Sequence, residues 1–315
     1  MKTIGVLTSG GDAPGMNAAV RAVVRTACEN GIKVYGINRG YQGLIEGDLR
    51  ELNIRSVSDI IHRGGTMLYS ARCKAFREES GMQQAIDTCK KFGIEGIVVI
   101  GGDGSFRGAR DLSLRGIPCI GVPGTIDNDI VSSDYTIGYD TCLNTVMQMV
   151  DRVRDTVESH SRCIVVEVMG NRCGDLTLPA GIAVGATAIV IPEIQSDIEK
   201  HVIERIRRTQ KTDKKHFIVM VAEGIGGVEE LARKIEKALF PASISPIRSR
   251  SSSTGMFWKP SICPRLYSPT VRVSSKVTLP SRGRLAASDR CHCFKPLEML
   301  SIIKPAMFTG SFAEE

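Results

Sequence analysis

Three β-branched runs in the first 130 residues each end in a loop of glycine and aspartate that opens toward a helix. Ile4–Thr8 leads into Ser9-Gly10-Gly11-Asp12-Ala13-Pro14-Gly15-Met16-Asn17. Gly96–Ile100 leads into Gly101-Gly102-Asp103-Gly104-Ser105, and Cys119–Val122 into Pro123-Gly124-Thr125-Ile126-Asp127-Asn128-Asp129. Further runs lie at Lys33–Ile37, Cys163–Val168, Ala188–Ile191 and Phe217–Ala222. Helix-like segments separate them. Met16–Asn30 stops at Gly31, a residue suited to the left-handed position after a helix. From Asp140 to about Ser159, Leu143, Val146, Val150, Val153 and Val157 recur at steps of three and four, one helix face. Apolar runs separated by helices predict an α/β fold, a parallel sheet covered by helices on each face. In such sheets ligands gather at the carboxyl ends of the strands.

The pattern changes near residue 239. The chain has 315 residues, 42% hydrophobic and 24% charged, which excludes a collagen-like, disulfide-scaffold or wholly disordered protein. Its net charge of +7 is unevenly placed: residues 1–238 hold 30 basic and 30 acidic side chains, and residues 239–315 hold 11 and 4. A nucleic-acid reading would rest on that last stretch alone, and none is expected. The same stretch holds 8 of the 13 Pro, 14 Ser and only 3 of the 32 Gly. Arg248-Ser249-Arg250-Ser251-Ser252-Ser253 is low in complexity. An irregular tail is expected, from a shifted reading frame near 239 or from a disordered extension. Cys291-His292-Cys293 offers three close ligands, too few to define a metal site. No run approaches the ~18–20 apolar residues of a membrane span. The N-terminus is too short and polar for a signal peptide. Ten cysteines without a CxxC pair suit a reduced compartment, so the expected location is cytoplasmic.

The loops carry the chemistry. A strand, a glycine loop and a helix start make a phosphate cradle, because glycine lets the backbone approach an anion that the free N–H groups then bind. The first loop fits neither the Rossmann nor the Walker pattern, and a tight turn would read the same way. In the second, Asp103 sits where a carboxylate can hold Mg²⁺, or where it would simply favour the start of a helix. In the third, Asp127 and Asp129 suit acid–base work or metal binding. An ionised Asp that takes a hydroxyl proton contributes about 10²–10⁴ in rate.

Taken together, GVLTSGGDAPGMN at 5–17, GGDGS at 101–105 and PGTIDND at 123–129 resemble the bacterial ATP-dependent 6-phosphofructokinases. RGGT at 63–66, SAR at 70–72, RDT at 154–156, VVEVMG at 165–170, CGDL at 173–176 and Ala222-Glu223-Gly224 extend the likeness over about residues 1–238. The resemblance implies two α/β domains, residues 1–137 for nucleotide and 138–238 for sugar phosphate. It also implies transfer of a phosphoryl group from MgATP to the 1-hydroxyl of fructose 6-phosphate, a step of glycolysis. Gly11, Arg72, Cys73, Gly102, Asp103, Gly104 and Ser105 match nucleotide contacts, with Asp103 on Mg²⁺ and Arg72 facing the transferring group. Asp127 matches the catalytic base, with Thr125 beside it. Thr125, Ile126, Asp129, Arg162, Met169, Gly170, Asn171 and Glu223 match sugar-phosphate positions, Arg162 reaching a neighbouring subunit in a homotetramer. Gly104 and Gly124 match ATP users, since pyrophosphate-dependent relatives tend to carry Asp and Lys there. Arg21, Arg25, Asp59, Arg154, Gly185, Lys214, Lys215 and His216 match a site for an ADP effector.

The chain also departs from the family. Thr187 stands where the family usually has Glu, and Asn171-Arg172 where it has Arg first. The family's GHxQRGGSP segment, which holds the sugar phosphate, is not recognisable after Ala238. The alternative is therefore an inactive or regulatory relative that binds nucleotide only. A lipid or NAD kinase would share the GGDG loop, but PGTIDND argues against it.

Overall fold

A computed structural model describes residues 1–131 and 133–239, and the backbone of the strand 271–278. The described residues form one compact unit. Two sheets organise it. The first contains β1 (Thr3–Ser9), β2 (Lys33–Ile37), β3 (Leu49–Leu52), β4 (Gly96–Gly101), β5 (Cys119–Thr125) and the short β6 (Ile137–Gly138), in the order β3-β2-β1-β4-β5-β6. The second contains β7 (Arg162–Val168), β8 (Ala188–Val190), β9 (Phe217–Ala222) and β10 (Val271–Thr278), in the order β10-β7-β9-β8. Eight α-helices among the described residues connect them: α1 (Met16–Glu29), α2 (Tyr41–Glu46), α3 (Glu79–Phe92), α4 (Asp103–Ser113), α5 (Tyr139–Ser159), α6 (Thr177–Ala183), α7 (Glu204–Gln210) and α8 (Val228–Leu239).

Period-two alternation explains why helices cover both faces of each sheet. In β9, Phe217, Val219 and Val221 enter one core while Ile218 and Met220 enter the other, packed on Val146, Val150 and Val157 of α5. In β1, Leu7 and Val6 divide in the same way between the two faces of the first sheet. Each fully buried side chain of this kind contributes about 1.5–3 kcal/mol. Helix α1 ends as its sequence implies. Gly31 has φ +69°, and its N–H and that of Ile32 reach back to Cys28 and Ala27, which closes the helix.

Three features differ from the expectation of parallel strands buried on both faces. β3 pairs antiparallel with β2, with Val34 opposite Leu52 and Ile37 opposite Leu49. β5 is covered incompletely, and Ile120 is 67% exposed. β10 lies inside the stretch read as an irregular tail, yet it pairs antiparallel with β7, Val271 opposite Val168 and Thr278 opposite Arg162, with a bulge between Val273 and Ser275. Its Val-Arg-Val-Ser-Ser-Lys-Val-Thr alternation is a short strand signal that the surrounding composition masks. The rest of that stretch, including Trp258 and Cys291-His292-Cys293, lies outside the described residues.

In the first sheet the chain moves outward from β1 through β2 to β3, then returns to β4 on β1's other side. The crevice between the carboxyl ends of β1 and β4 is therefore a topological switch point, where α/β sheets bind ligands.

Candidate active site at the carboxyl ends of the strands

The first and second glycine loops meet at that switch point. Ser9 of β1 lies opposite Gly101 of β4. A Cβ at Gly101 would sit 2.6 Å from the Ser9 carbonyl oxygen, so glycine alone permits this approach. Gly10 faces the Ser105 hydroxyl, 3.6 Å from where its own Cβ would stand. A Cβ on Gly104 would meet nothing within 4 Å, which leaves open space over the start of α4. Asp103 opens α4 with its side chain half exposed, paired at 2.8 Å with Arg107 one turn on.

The segment 63–70 is hung over these loops. Buried Asn17 donates its amide to the carbonyls of Arg63 and Gly64 and accepts from the Met67 N–H. The Thr8 hydroxyl lies 2.8 Å from that of Thr66 and donates to the Tyr69 carbonyl, and Ser70 donates to the Gly10 carbonyl. Two residues beyond Ser70 comes Arg72, exposed and in no ion pair among the described residues, followed by half-buried Cys73.

The third loop lies beside the second, since Gly101 pairs with Pro123 and the Gly102 Cβ position is 3.6 Å from Thr125 Cβ. The glycine loops and Asp127 thus share one edge of the sheet. Asn128, left-handed at φ +53°, is pinned by accepting from the Thr136 N–H and donating to the Asp134 carbonyl. The Asp127 N–H donates to the Thr125 hydroxyl oxygen at 3.2 Å. Burial, with the negative charges of Asp129 and Glu223 nearby, pushes the Asp127 carboxyl up to about 6.

The second sheet supplies the facing side. Glu223, just after β9, accepts from the N–H groups of Gly170 and Asn171 at 3.1 and 2.6 Å. Asn171 in turn donates its amide to Asp129 at 3.2 Å. Ile126 packs against cores of both sheets. So Thr125, Ile126, Asp127, Asp129, Gly170, Asn171 and Glu223 gather in one place, and Met169 directly precedes Gly170. Arg172 is exposed. Arg162 is elsewhere: it starts β7, and six residue steps place it about 20 Å from Val168. Its Nε is buried without a hydrogen-bond partner.

The expected effector residues fall into two groups. On α1, Arg21 donates to the Val57 carbonyl near exposed, left-handed Asp59, and Arg25 is exposed. Arg154 of α5 donates to the Val184 carbonyl beside Gly185. His216 stands 4.0 Å from Glu158, and burial, with Lys214 and Arg154 nearby, holds it below the usual histidine range. No hydrogen bond or ion pair joins the two groups among the described residues. Thr187 is buried, its hydroxyl unpartnered. A cavity of about 730 Å³, with no glycine-loop residue in its lining, is bordered by Leu178, Ile189, Lys200 and Arg208 among others.

Sequence reasoning missed the organising roles of Asn17, Ser70 and Cys173. Asn17 stood inside a recognised motif, and buried asparagine beside a glycine loop is a usable signal. Ser70 and Cys173 stood inside the SAR and CGDL motifs, but they bond main-chain atoms, which those motifs do not name.

A family model described as phosphofructokinase matches residues 3–257. The chain is 59% identical over 239 residues to the ATP-dependent 6-phosphofructokinase of Shouchella clausii (strain KSM-K16), covering 76% of this chain and 75% of that one. It is 56% identical over 237 residues to the enzyme of the same description from Clostridioides difficile (strain 630), covering 75% and 74%. Among solved structures, phosphofructokinase from Saccharomyces cerevisiae matches with TM-score 0.70 and 36% identity over 78% of this chain and 37% of that one. A pyrophosphate-dependent phosphofructokinase from Marinobacter aquaeolei shares the fold at TM-score 0.66 and 24% identity, over 75% of this chain and 65% of that one.

Proposed function

Since the chain belongs to the phosphofructokinase family, we propose that it transfers the terminal phosphoryl group of MgATP to the 1-hydroxyl of fructose 6-phosphate, giving fructose 1,6-bisphosphate and ADP. The observation that carries this reading is the carboxylate of Asp127, half-buried between the glycine loops of the first sheet and the Gly170–Asn171 turn of the second. The glycine loops at 10–11 and 101–105 bind the nucleotide phosphates through main-chain N–H groups and the start of α4. The open space at Gly104 favours ATP as donor. Arg72, free of any ion pair among the described residues, offers its guanidinium to charge spread over the transferring oxygens. Thr125 fixes the turn that carries Asp127, which takes the proton of the sugar hydroxyl. Asp129, Met169, Gly170, Asn171 and Glu223 hold the sugar.

Among the described residues no three His, Cys, Asp or Glu side chains gather as a metal site. Asp103, a single half-exposed carboxylate, fits a cation that takes its other ligands from water and phosphate, as Mg²⁺ does. Such a cation supplies charge neutralisation across the phosphates.

Arg162, remote from its own site, suits a role at a neighbour's site in a homotetramer. The Arg21–Arg25 and Arg154–His216 groups suit an ADP effector held between subunits, with Thr187 unable to contribute the charge that Glu would. A glycolytic role places the protein in the cytoplasm. The nucleotide-binding alternative without turnover is not favoured, because the relatives matched over three-quarters of their length are ATP-dependent 6-phosphofructokinases. The test is a coupled assay for fructose 1,6-bisphosphate. We expect turnover in the wild type and a loss of about 10²–10⁴ in kcat for Asp127→Asn. Equal turnover in the variant removes Asp127 from the mechanism.

A further inference from the structure

The loop that carries Asp127 belongs to the first sheet, and the turn that faces it belongs to the second. A base works only if its position against the hydroxyl is held to a fraction of an ångström, so the ties between these two loops bear directly on rate. One tie joins side chains, from Asn171 to Asp129. A second reaches the main chain of Asp127 itself. The Cys173 thiol lies 3.2 Å from the Asp127 carbonyl oxygen and 3.2 Å from that of Gly170. The Cys173 N–H also donates to Gly170 at 3.1 Å, which folds the 170–173 turn so that the thiol points back across it. Glu223 holds the other side of the same turn through the Gly170 and Asn171 N–H groups.

We propose that Cys173 is a positioning residue for the transfer step: its thiol hydrogen bond clamps the backbone of Asp127 to the Gly170–Asn171 turn and so sets the base against the sugar hydroxyl. The inference rests on the reaction assigned above. Cys173 is half-buried, and burial raises its thiol from the ordinary range, so it remains protonated and a donor near neutral pH. Serine keeps one donor at this position with a shorter reach, whereas alanine keeps none.

The experiment compares Cys173→Ala and Cys173→Ser in the full chain by steady-state kinetics, pH profile and hydrogen exchange of the segment 125–129. Cys173→Ala is expected to lower kcat about tenfold while the KM for ATP stays within about twofold, because the glycine loops are untouched. Its acid limb should move to lower pH as water reaches Asp127, and exchange across 125–129 should quicken. Cys173→Ser should recover most of kcat and of the protection. Wild-type kcat and wild-type exchange in Cys173→Ala would overturn the proposal. So would equal impairment of both variants with a lowered Tm, which would mean that the sulfur only fills space. Exchange reads the clamp without turnover, so an inactive wild type would count against the assigned reaction while the clamp was still decided.

Discussion

Asp127 concentrates the conflict between function and stability. In the unfolded chain it titrates near 3.8, and in the fold it is pushed up to about 6. Between those values the folded state holds a proton that the unfolded state has released. Its contribution to stability therefore falls as pH rises from 3.8 through 6 and stays low above. A shift of this size corresponds to about 3 kcal/mol, which solvent screening of a partly exposed carboxylate reduces to roughly 1–2 kcal/mol. Asp127→Asn should accordingly unfold at higher urea than wild type at pH 7.5 and lose that advantage by pH 4, while its catalysis fails. Activity should climb with an acid limb near 6. Asp129→Asn, which removes one of the two charges disfavouring ionisation, should move that limb toward lower pH in a kcat/KM profile. An unmoved limb would mean that burial and Glu223, not Asp129, set the value.

At the scale of elements, legibility followed the environment of each strand. β2 and β9 match their sequence runs end for end, because β-branched runs bounded by helices leave little choice of register. Glycine and aspartate announced the loops. β3 went unseen because Arg50 and Glu51 break an apolar signal on an edge strand that needs only one covered face. The ties of Cys173, Ser70 and Asn17 went unseen because they end on main-chain atoms, so the motifs that contain these residues do not name their partners. Two glycines in the same loop show how unequal such positions are. Gly101 approaches the Ser9 carbonyl too closely for any side chain, so Gly101→Ala should cost about 1–3 kcal/mol by forcing β1 and β4 apart. Gly104→Ala enters open space and should leave stability within about 0.5 kcal/mol. Paired urea titrations check the contrast, and a similar loss in both would mean that loop flexibility rather than strand approach governs the site.

For the whole molecule the question is where the body ends. Composition places a boundary near residue 239, and the excess positive charge lies beyond it. Yet β7, buried from Cys163 to Val166 and at Val168, has β9 on one side only, and β10 pairs along its other side. The strand at 271–278 therefore ties the compositionally foreign stretch to the sheet that presents Gly170, Asn171 and Glu223. An antiparallel ladder has a distinctive proline response, because neighbouring N–H groups alternate between pointing at the partner and pointing away. Of the variants Lys276→Pro and Val277→Pro, opposite Ile164 and Cys163, one deletes a ladder hydrogen bond and the other an outward N–H on an edge strand, where proline is tolerated. One substitution should cost about 1–3 kcal/mol and its neighbour nearly nothing, read as urea midpoints in the full chain. Two equal, negligible effects would place 271–278 outside the sheet and leave the Gly170 turn supported by β9 alone.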